Sequence, residues 1–237
     1  MSFEQEIKLI FSNYGFNLTQ NQIEKFKKYY NFLIIYNKKV NLTTITSQTD
    51  VIVKHFLDSV LSINQIKPNL KIIDIGTGAG FPGIPIKIMR DDIKLTLVDS
   101  LNKRIIFLNQ LVEILELKNV EIIHSRSEEL AHNLNYREKF DICVNRAVAK
   151  LSTLIEYSVP FLKINGLLVS YKAKNCKDEI NESVNAVKLL HLKLQDIINF
   201  NILESNSERN LIIFKKLQKT GSGYPRLNNK PKTQPLN

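Results

Sequence analysis

The sequence has few cysteines and no long apolar segment. Cys143 and Cys176 are the two cysteines in 237 residues, and they lack the spacing of metal ligands. Cys143 stands within an apolar run, where a small buried side chain is the expected role. No apolar run approaches the length that crosses a bilayer, and the polar start MSFEQEIKLIF is not typical of a secretory signal. These absences predict a soluble cytoplasmic protein without a metal site.

Acidic residues are outnumbered by basic ones. The chain has 33 lysines and arginines against 23 aspartates and glutamates, which gives a formal net charge of +10. For a soluble basic enzyme the commonest anionic partner is nucleic acid. The chain is also rich in Asn, Ile and Lys, as AT-biased coding produces, so its charge alone leaves solvated surface lysines as an equal alternative. The length suits one substantial α/β core with a small helical appendage.

Glycine is scarce as well, and half of it falls in one loop. Four of the eight glycines lie within residues 71–83, KIIDIGTGAGFPG, where an isoleucine-rich apolar run stops at Asp74. Gly76, Gly78 and Gly80 permit positive φ angles and leave no Cβ between the backbone and a ligand. The segment therefore predicts a buried strand, a tight turn that receives a flat or extended ligand, and the start of a helix.

Two ligand classes use such a loop. Residues 78–83 satisfy the GxGxxG pattern of dinucleotide enzymes, but Pro82 removes one of the N–H donors that seat a pyrophosphate. Asp74 with alternating glycines resembles motif I of the class I S-adenosylmethionine methyltransferases, whose cofactor has no phosphate. Asp74 is then placed to hold the cofactor's amino group, and Asp99, at the end of the next apolar run, to bind its ribose. A dinucleotide site and a purely structural turn remain the alternatives.

The pattern along the chain predicts three parts. Capping boxes at Ser2 and Thr19 open two amphipathic helices, and a third helix is expected over 50–60. After Pro68 strands and helices alternate, which is typical of a mostly parallel sheet covered by helices on both faces. The predicted parts are a helical extension (1–66), an α/β domain (67–217) and a basic tail (218–237). Strands are expected at 71–75, 95–98, 120–123, 140–144 and 166–171, with late runs at 194–200 and 209–214, and helices at 82–89, 103–117 and 151–162, with a long helix ending near 190.

Ligands bind such sheets at the carboxyl ends of the strands. The four successive strand ends carry Asp74, Asp99, the pair Ser127 and Glu128, and Arg146, all expected to face one crevice. Ser127 and Glu128 could contact the edge of an adenine through a backbone N–H and a polar side chain. A solvated loop without a ligand is an equal alternative. A cation such as Arg146 beyond a buried strand needs a partner, which is the cofactor, a substrate phosphate or a carboxylate of the chain itself.

Three further residues stand out by their position on helices. Lys103 and Arg104 open the helix after Asp99, where the helix dipole disfavours cations, so they suggest contact with an anion or a substrate. His55 lies among apolar residues with no second metal ligand nearby, and we expect a hydrogen-bonded structural histidine.

Motifs across nearly the whole chain resemble the RsmG family, also called GidB, which are methyltransferases of bacterial small-subunit ribosomal RNA. Two departures concern Ser127, where alanine is expected to be common, and Asn145, where serine is usual. The matching segments are HFLDS at 55–59, DIGTGAGFPG at 74–83, Asp99 with Lys103 and Arg104, Arg126-x-x-Glu129, Asn145-Arg146-Ala147, Gly166 with Tyr171 and Lys172, and YPR at 224–226.

The resemblance implies a Rossmann-like fold, S-adenosyl-L-methionine as cofactor and methylation of guanine N7 in 16S ribosomal RNA. The substrate is the free RNA or the assembled subunit, and we expect the protein to be a monomer. Arg146 becomes the catalytic candidate. The residues assigned to the cofactor are Asp74, Gly76, Gly78, Gly80, Phe81, Asp99, Ser127, Glu128 and Arg146. The residues assigned to the RNA are Lys103, Arg104, Lys172 and Arg226.

The chemistry of guanine N7 fits what the sequence contains. N7 is an unprotonated lone pair, so methyl transfer to it needs orientation and no general base. Neither an Asn-Pro-Pro-aromatic motif for exocyclic amines nor a Pro-Cys nucleophile for pyrimidine C5 follows the fourth strand. The alternatives are a methyltransferase of small molecules or proteins, and a non-catalytic RNA-binding assembly protein.

The last 23 residues contain six basic residues and no acidic residue. After Thr220 they are also rich in Gly, Pro and Asn, so we expect a mobile tail that becomes ordered on an anion, or else a solvated terminus. The six cations of this segment are Lys215, Lys216, Lys219, Arg226, Lys230 and Lys232.

Overall fold

Two capped helices open the chain in the computed structural model, which describes residues 1–146, 149–172, 176–202 and 207–237. They are α1 (Phe3–Asn13) and α2 (Gln20–Val40), and each begins with the predicted capping box. Ser2 Oγ accepts a hydrogen bond from the Gln5 N–H at 3.3 Å, and the Gln5 side chain accepts from the Ser2 N–H at 3.1 Å. These reciprocal bonds satisfy donors that a helix start otherwise leaves unpaired.

The third helical segment begins at Gln48, two residues before its predicted start. The Ser47 side chain caps it by accepting from the Asp50 N–H at 3.2 Å. The segment continues as α3 (Gln48–Val51), a π-helix (Ile52–Leu57) and α4 (Asp58–Val60). Its buried residues join those of α1 and α2 in one hydrophobic cluster with the strands that follow, so the extension packs on the sheet.

The described residues form a seven-stranded sheet in the order β3-β2-β1-β4-β5-β7-β6. The first five strands pair in parallel, and β7 and β6 add antiparallel pairs at one end. The strands are β1 (Lys71–Ile75), β2 (Lys94–Asp99), β3 (Val120–His124), β4 (Phe140–Arg146), β5 (Leu162–Lys172), β6 (Leu192–Ile202) and β7 (Ser207–Lys216). The predicted mostly parallel α/β sheet with a helical extension is confirmed, while Ala147 of the sequence motif lies outside the described residues.

Alternate residues of the central strands pack into clusters on opposite faces of the sheet, as the two-residue period of a strand requires. Ile72 belongs to one cluster, and Ile73 and Ile75 belong to the other. The connecting helices cover both faces. They are α5 (Gly83–Met89), α6 (Asn102–Ile114), α7 (Ser127–Leu130), α8 (Leu151–Ser158), α9 (Cys176–Glu182) and α10 (Val184–Leu189). No helix in the described ranges is long and apolar enough to span a membrane.

The predicted long helix ending near residue 190 is two short helices, α9 and α10, which meet at Ser183. Ser183 has a non-helical φ of −98° and ψ of 4°, and its hydroxyl donates to the Ile180 carbonyl at 2.9 Å. A serine that bonds to the nearby backbone offers an alternative to the helical hydrogen bonds, and this ends the helix.

The C-terminal residues 218–237, which we call the C-terminal strap, are packed on the core and end in α11 (Lys230–Thr233). Arg137 donates to the carbonyls of Thr220, Gly221 and Tyr224 at 2.8–3.0 Å. Farther along, the Ala186 N–H donates to the Leu236 carbonyl at 3.1 Å. The sequence predicts a mobile tail, and the structure differs because partners from distant parts of the chain satisfy its backbone groups.

Candidate functional site

The glycine loop between β1 and α5 opens onto a cavity of about 510 Å³ at the carboxyl ends of the parallel strands. Gly76, Gly78 and Gly80 have φ angles of 69°, 62° and 96°, which favour glycine. A Cβ added to Gly78 would meet no atom within 4 Å, whereas one on Gly80 would lie 2.8 Å from Ile84 and from the Tyr29 hydroxyl. Gly78 therefore leaves space in the cavity, and Gly80 permits close packing behind it.

Asp74 is turned away from the cavity into the base of this loop. Its carboxylate is fully buried, and Oδ2 accepts hydrogen bonds from Thr77 Oγ1 at 2.7 Å and from the Gly83 N–H at 2.8 Å. Burial raises the pKa of Asp74 to about 7. The Asp74 side chain closes the turn that presents Gly78 and does not line the cavity, so in this structure its contacts are structural. The cofactor contact expected of it stays a prediction.

Asp99 does line the cavity, at the end of β2. Its Oδ2 accepts from the Gly78 N–H at 2.9 Å, and its Oδ1 accepts from the Leu101 N–H at 3.0 Å. Arg104 Nη1 adds bonds of 3.0 and 3.4 Å to the two oxygens. The carboxylate thus fixes the glycine loop relative to β2, with a cation as its most exposed partner.

Arg146 reaches the cavity from the end of β4 with its guanidinium held from three sides. Nη1 donates to Asp58 Oδ2 at 2.9 Å, and Nη2 lies 3.2 Å from His55 Nδ1. The guanidinium carbon is 4.9 Å from the centre of the Phe81 ring, a cation–π distance. Asp58 is also within 3.2 Å of Arg209 on β7, so this buried carboxylate joins two cations.

His55 forms part of the cavity wall, which the sequence analysis did not predict. Its ring stacks on Phe81 at 4.4 Å, and Phe81 stacks on Tyr29 at 5.2 Å. Because Arg146 can only donate, His55 Nδ1 accepts, and Nε2 carries the proton toward Thr43 Oγ1 at 2.9 Å. Burial and the Arg146 charge lower the pKa of His55 to about 3, so the ring is neutral.

Seven of the nine residues predicted to bind the cofactor line this cavity, while Asp74 and Gly80 do not. The seven are Gly76, Gly78, Phe81, Asp99, Ser127, Glu128 and Arg146. Glu128 is buried and lies 3.8 Å from Arg126, which also lines the cavity. The ends of four neighbouring strands therefore meet at one place, as the topology requires.

Sequence reasoning missed the residues that other parts of the chain bring to the cavity. The strap approaches across α8, and the Tyr157 hydroxyl bonds to Asn229 Oδ1 at 3.4 Å. No local pattern indicates these residues, although HFLDS at 55–59 is a family segment that contains one of them. The missed residues with polar side chains include Thr43, His55, Tyr157 and Asn229. Lys232, which also lines the cavity, is one of the tail cations that the sequence analysis named.

The four residues predicted to contact RNA all have partners within the chain. Arg104 pairs with Asp99, and Lys103 donates to the Val40 carbonyl at 3.2 Å. Lys172 pairs with Glu179 at 2.5 Å. Arg226 donates to both oxygens of the fully buried Glu156 at 2.9 and 2.8 Å, so its position is that of an anchor for the strap. Of the four, Arg104 alone lines the cavity.

Comparison with known proteins decides the family. A family model described as GidB, rRNA small subunit methyltransferase G, matches residues 22–212. The chain belongs to this family. A protein of Acetivibrio thermocellus named ribosomal RNA small subunit methyltransferase G is 45% identical over 226 residues, which cover 95% of this chain and 93% of that protein. A protein of Lachnoclostridium phytofermentans with the same name is 46% identical over 224 residues, which cover 94% and 93%.

Solved structures agree with the family at the level of the fold. The ribosomal protein L11 methylase from Lactobacillus delbrueckii subsp. bulgaricus superposes with a TM-score of 0.52 at 17% identity, covering 69% of this chain and 79% of that chain. P. horikoshii TYW2 in complex with MeSAdo gives 0.54 at 10% identity, covering 68% and 62%. The predicted Rossmann-like methyltransferase fold and the predicted family are both confirmed.

Proposed function

We propose that this protein transfers the methyl group of S-adenosyl-L-methionine to N7 of a guanine in 16S ribosomal RNA. Its substrate is the free RNA or the assembled small subunit. The protein acts in the cytoplasm as a monomer. Membership of the GidB family supports the reaction class. The observation that carries the proposal is the meeting of the ends of β1, β2, β3 and β4 at one cavity beside a glycine loop.

The residues around the cavity fit an adenosyl cofactor. The volume of about 510 Å³ lies within the range of small-molecule sites. The free space at Gly78 admits a ligand against the backbone, and the Asp99 carboxylate beside it suits a ribose diol. Asp99 already accepts four hydrogen bonds, so the ribose replaces those from Arg104, whose side chain is 33% exposed. The proposed contact residues are Gly76, Gly78, Phe81, Asp99, Ser127, Glu128 and Arg146.

The reaction itself needs little proton chemistry. When bound, the cofactor supplies an electrophilic sulfonium methyl group. Guanine N7 presents a lone pair in the major groove and has no proton to lose. The site needs no general base for this reaction. His55, the histidine at the cavity wall, is a poor base, because both of its ring nitrogens are hydrogen-bonded and its pKa is low. The chain's task is therefore to align the reacting atoms and to exclude water.

Arg146 is the proposed catalytic residue. Its side chain is 12% exposed, and Asp58, His55 and Phe81 fix the direction of its guanidinium at the cavity wall. A rigid cation at this place suits the cofactor carboxylate or an RNA phosphate, with which arginine forms two parallel hydrogen bonds. The two partners differ in their kinetic effect, since loss of the first weakens cofactor binding and loss of the second lowers turnover alone.

The function is tested with small ribosomal subunits from cells that lack this methylation. The protein is incubated with methyl-labelled S-adenosylmethionine, and the modified nucleoside is identified by mass spectrometry. We expect label in 7-methylguanosine of the 16S RNA, strongly reduced for Arg146→Ala. Glu113→Gln, an exposed carboxylate on α6, is the control and keeps wild-type activity.

Other outcomes separate the competing functions. Label that appears only in a small molecule or a protein, with none in the subunits, identifies a methyltransferase of another substrate. Tight binding of subunits with no transfer identifies an RNA-binding assembly protein. Either result contradicts the proposal.

A further inference from the structure

One cation at the cavity differs from the others in having no ion-pair partner among the described residues. Among the described residues that line the cavity, Arg104, Arg126 and Arg146 each lie within 4.0 Å of a carboxylate, at 3.0, 3.8 and 2.9 Å. Lys232 also lines the cavity, is exposed, and has no carboxylate within that distance in the described part of the chain. Its ammonium group can therefore bind an incoming anion without breaking an existing ion pair.

The backbone that carries Lys232 is firmly held. Pro231, directly before it, is buried, and its carbonyl accepts a hydrogen bond from Thr153 Oγ1 of α8 at 2.8 Å. Arg226, six residues before Lys232, donates two hydrogen bonds to buried Glu156 of the same helix, α8. The strap is therefore bonded to α8 on both sides of the turn leading into α11, at Arg226 and at Pro231, and Lys232 directly follows the second contact. A cation in a fixed position is a better phosphate ligand than one on a free terminus, because less conformational entropy is lost on binding.

We propose that Lys232 binds a phosphate of the RNA next to the target nucleotide, so that the C-terminal strap is one wall of the substrate site. This inference rests on the proposed function. A base that enters the cavity leaves its phosphate at the rim, where the Lys232 side chain is exposed. The groups proposed to contact the cofactor are more deeply placed, with Asp99 and Glu128 only 2% and 5% exposed. The exposed lysine therefore suits the RNA and not the cofactor.

The test compares Lys232→Ala with Lys230→Ala in the full-length protein. Lys230 lies in the same short helix and is also exposed, but it does not line the cavity. Binding of unmethylated 16S RNA is measured over about 50 to 200 mM salt, and S-adenosylmethionine affinity is measured by calorimetry. We expect Lys232→Ala to weaken RNA binding about tenfold and to reduce the salt slope by about 0.7–0.9. Lys230→Ala and the charge-conserving Lys232→Arg should keep wild-type RNA affinity, and cofactor affinity should be unchanged in all three.

Two results would overturn the inference. Equal RNA affinities and salt slopes for the two alanine variants would make Lys232 an ordinary surface lysine. A loss of cofactor affinity with unchanged RNA affinity would assign it to the cofactor carboxylate. Because RNA binding is read without turnover, failure of the inference is distinct from failure of the proposed function, which is read from methyl transfer by the wild-type protein.

Discussion

Asp58 and Arg146 form a buried ion pair at 2.9 Å, with side chains only 5% and 12% exposed. Asp58 belongs to the helical extension, and Arg146 ends the fourth strand of the sheet. The pair directs the guanidinium to the cavity wall, where it also meets His55 and Phe81. The extension therefore helps to build the proposed active site through Asp58.

Asp58→Asn should lower methyl transfer through Arg146. The amide keeps the shape of the side chain and one oxygen acceptor but loses the negative charge. Hydrogen bonds to charged groups contribute about 1.5–3 kcal/mol, or about 10- to 150-fold. We expect a fall of this size in kcat/KM, measured on small subunits, together with a lower melting temperature. Asp92→Asn is the control, because Asp92 pairs with Arg90 at 2.8 Å and neither residue lines the cavity. Equal activity losses in the two variants would mean that Asp58 acts through stability alone.

Gly78→Val should abolish binding of S-adenosylmethionine. The φ of 62° is unfavourable for valine, and the added side chain enters the open space proposed for the cofactor. Gly15→Val is a matched control, since Gly15 has a φ of 79° and equally open surroundings but lies outside the cavity. Both variants should lose stability, and only Gly78→Val should lose affinity in isothermal titration. Wild-type affinity in a folded Gly78→Val protein would make the loop a structural turn.

Asp74 should make the folded protein less stable as the pH rises. Its pKa is raised from 3.8 to about 7 by burial, so between these values the folded state holds a proton that the unfolded state has lost. Its contribution to the free energy of unfolding is complete at low pH and is lost as the pH approaches 7. Denaturant unfolding of Asp74→Asn and wild type over this range should show a smaller fall for the variant. Parallel curves for the two proteins would refute the assignment.

His55 should remain neutral throughout the physiological range. Its pKa is lowered from 6.5 to about 3, so its contribution to stability is present above 6.5 and is lost as the pH falls toward 3. Nitrogen-15 NMR of the ring, assigned with a His55→Gln variant, should show a protonated Nε2 and an accepting Nδ1 with no titration between about pH 5 and 8. A ring that titrates within that interval would contradict the neutral form and its bond from Arg146.

Arg226 can be tested as an anchor of the strap against its predicted role as an RNA contact. Removal of one partner from a buried ion pair destabilises by about 3–5 kcal/mol. Arg226→Ala should therefore lower the melting temperature, and Arg226→Lys should restore it only in part, because lysine lacks the fork that meets both Glu156 oxygens. If Arg226 binds RNA directly, Arg226→Lys should restore RNA affinity while neither variant changes the melting temperature.

Local sequence patterns were sufficient for most of the helices and strands. The capping boxes at Ser2 and Thr19 satisfy donors within four residues, so neighbouring side chains determine where these helices begin. The strand at 71–75 was predicted with its observed bounds, because β-branched residues and the glycines after it mark both of its ends. The break at Ser183 was missed, since the surrounding helical pattern continues on both sides of it.

By itself, the sequence determined the mostly parallel sheet and the strand ends that meet at the cavity, because the topology of alternating strands and helices brings those ends together. Only the tertiary structure decided which of the predicted side chains face the cavity. Asp74 and Asp99 lie at the carboxyl ends of neighbouring strands, yet Asp74 points into the turn and Asp99 into the cavity. The positions of His55 and Lys232 likewise depend on partners far along the chain. His55 is held by Arg146, and Lys232 by the contacts of the strap with α8. Hydrogen bonds and ion pairs between residues so far apart in sequence leave no local pattern from which they can be predicted.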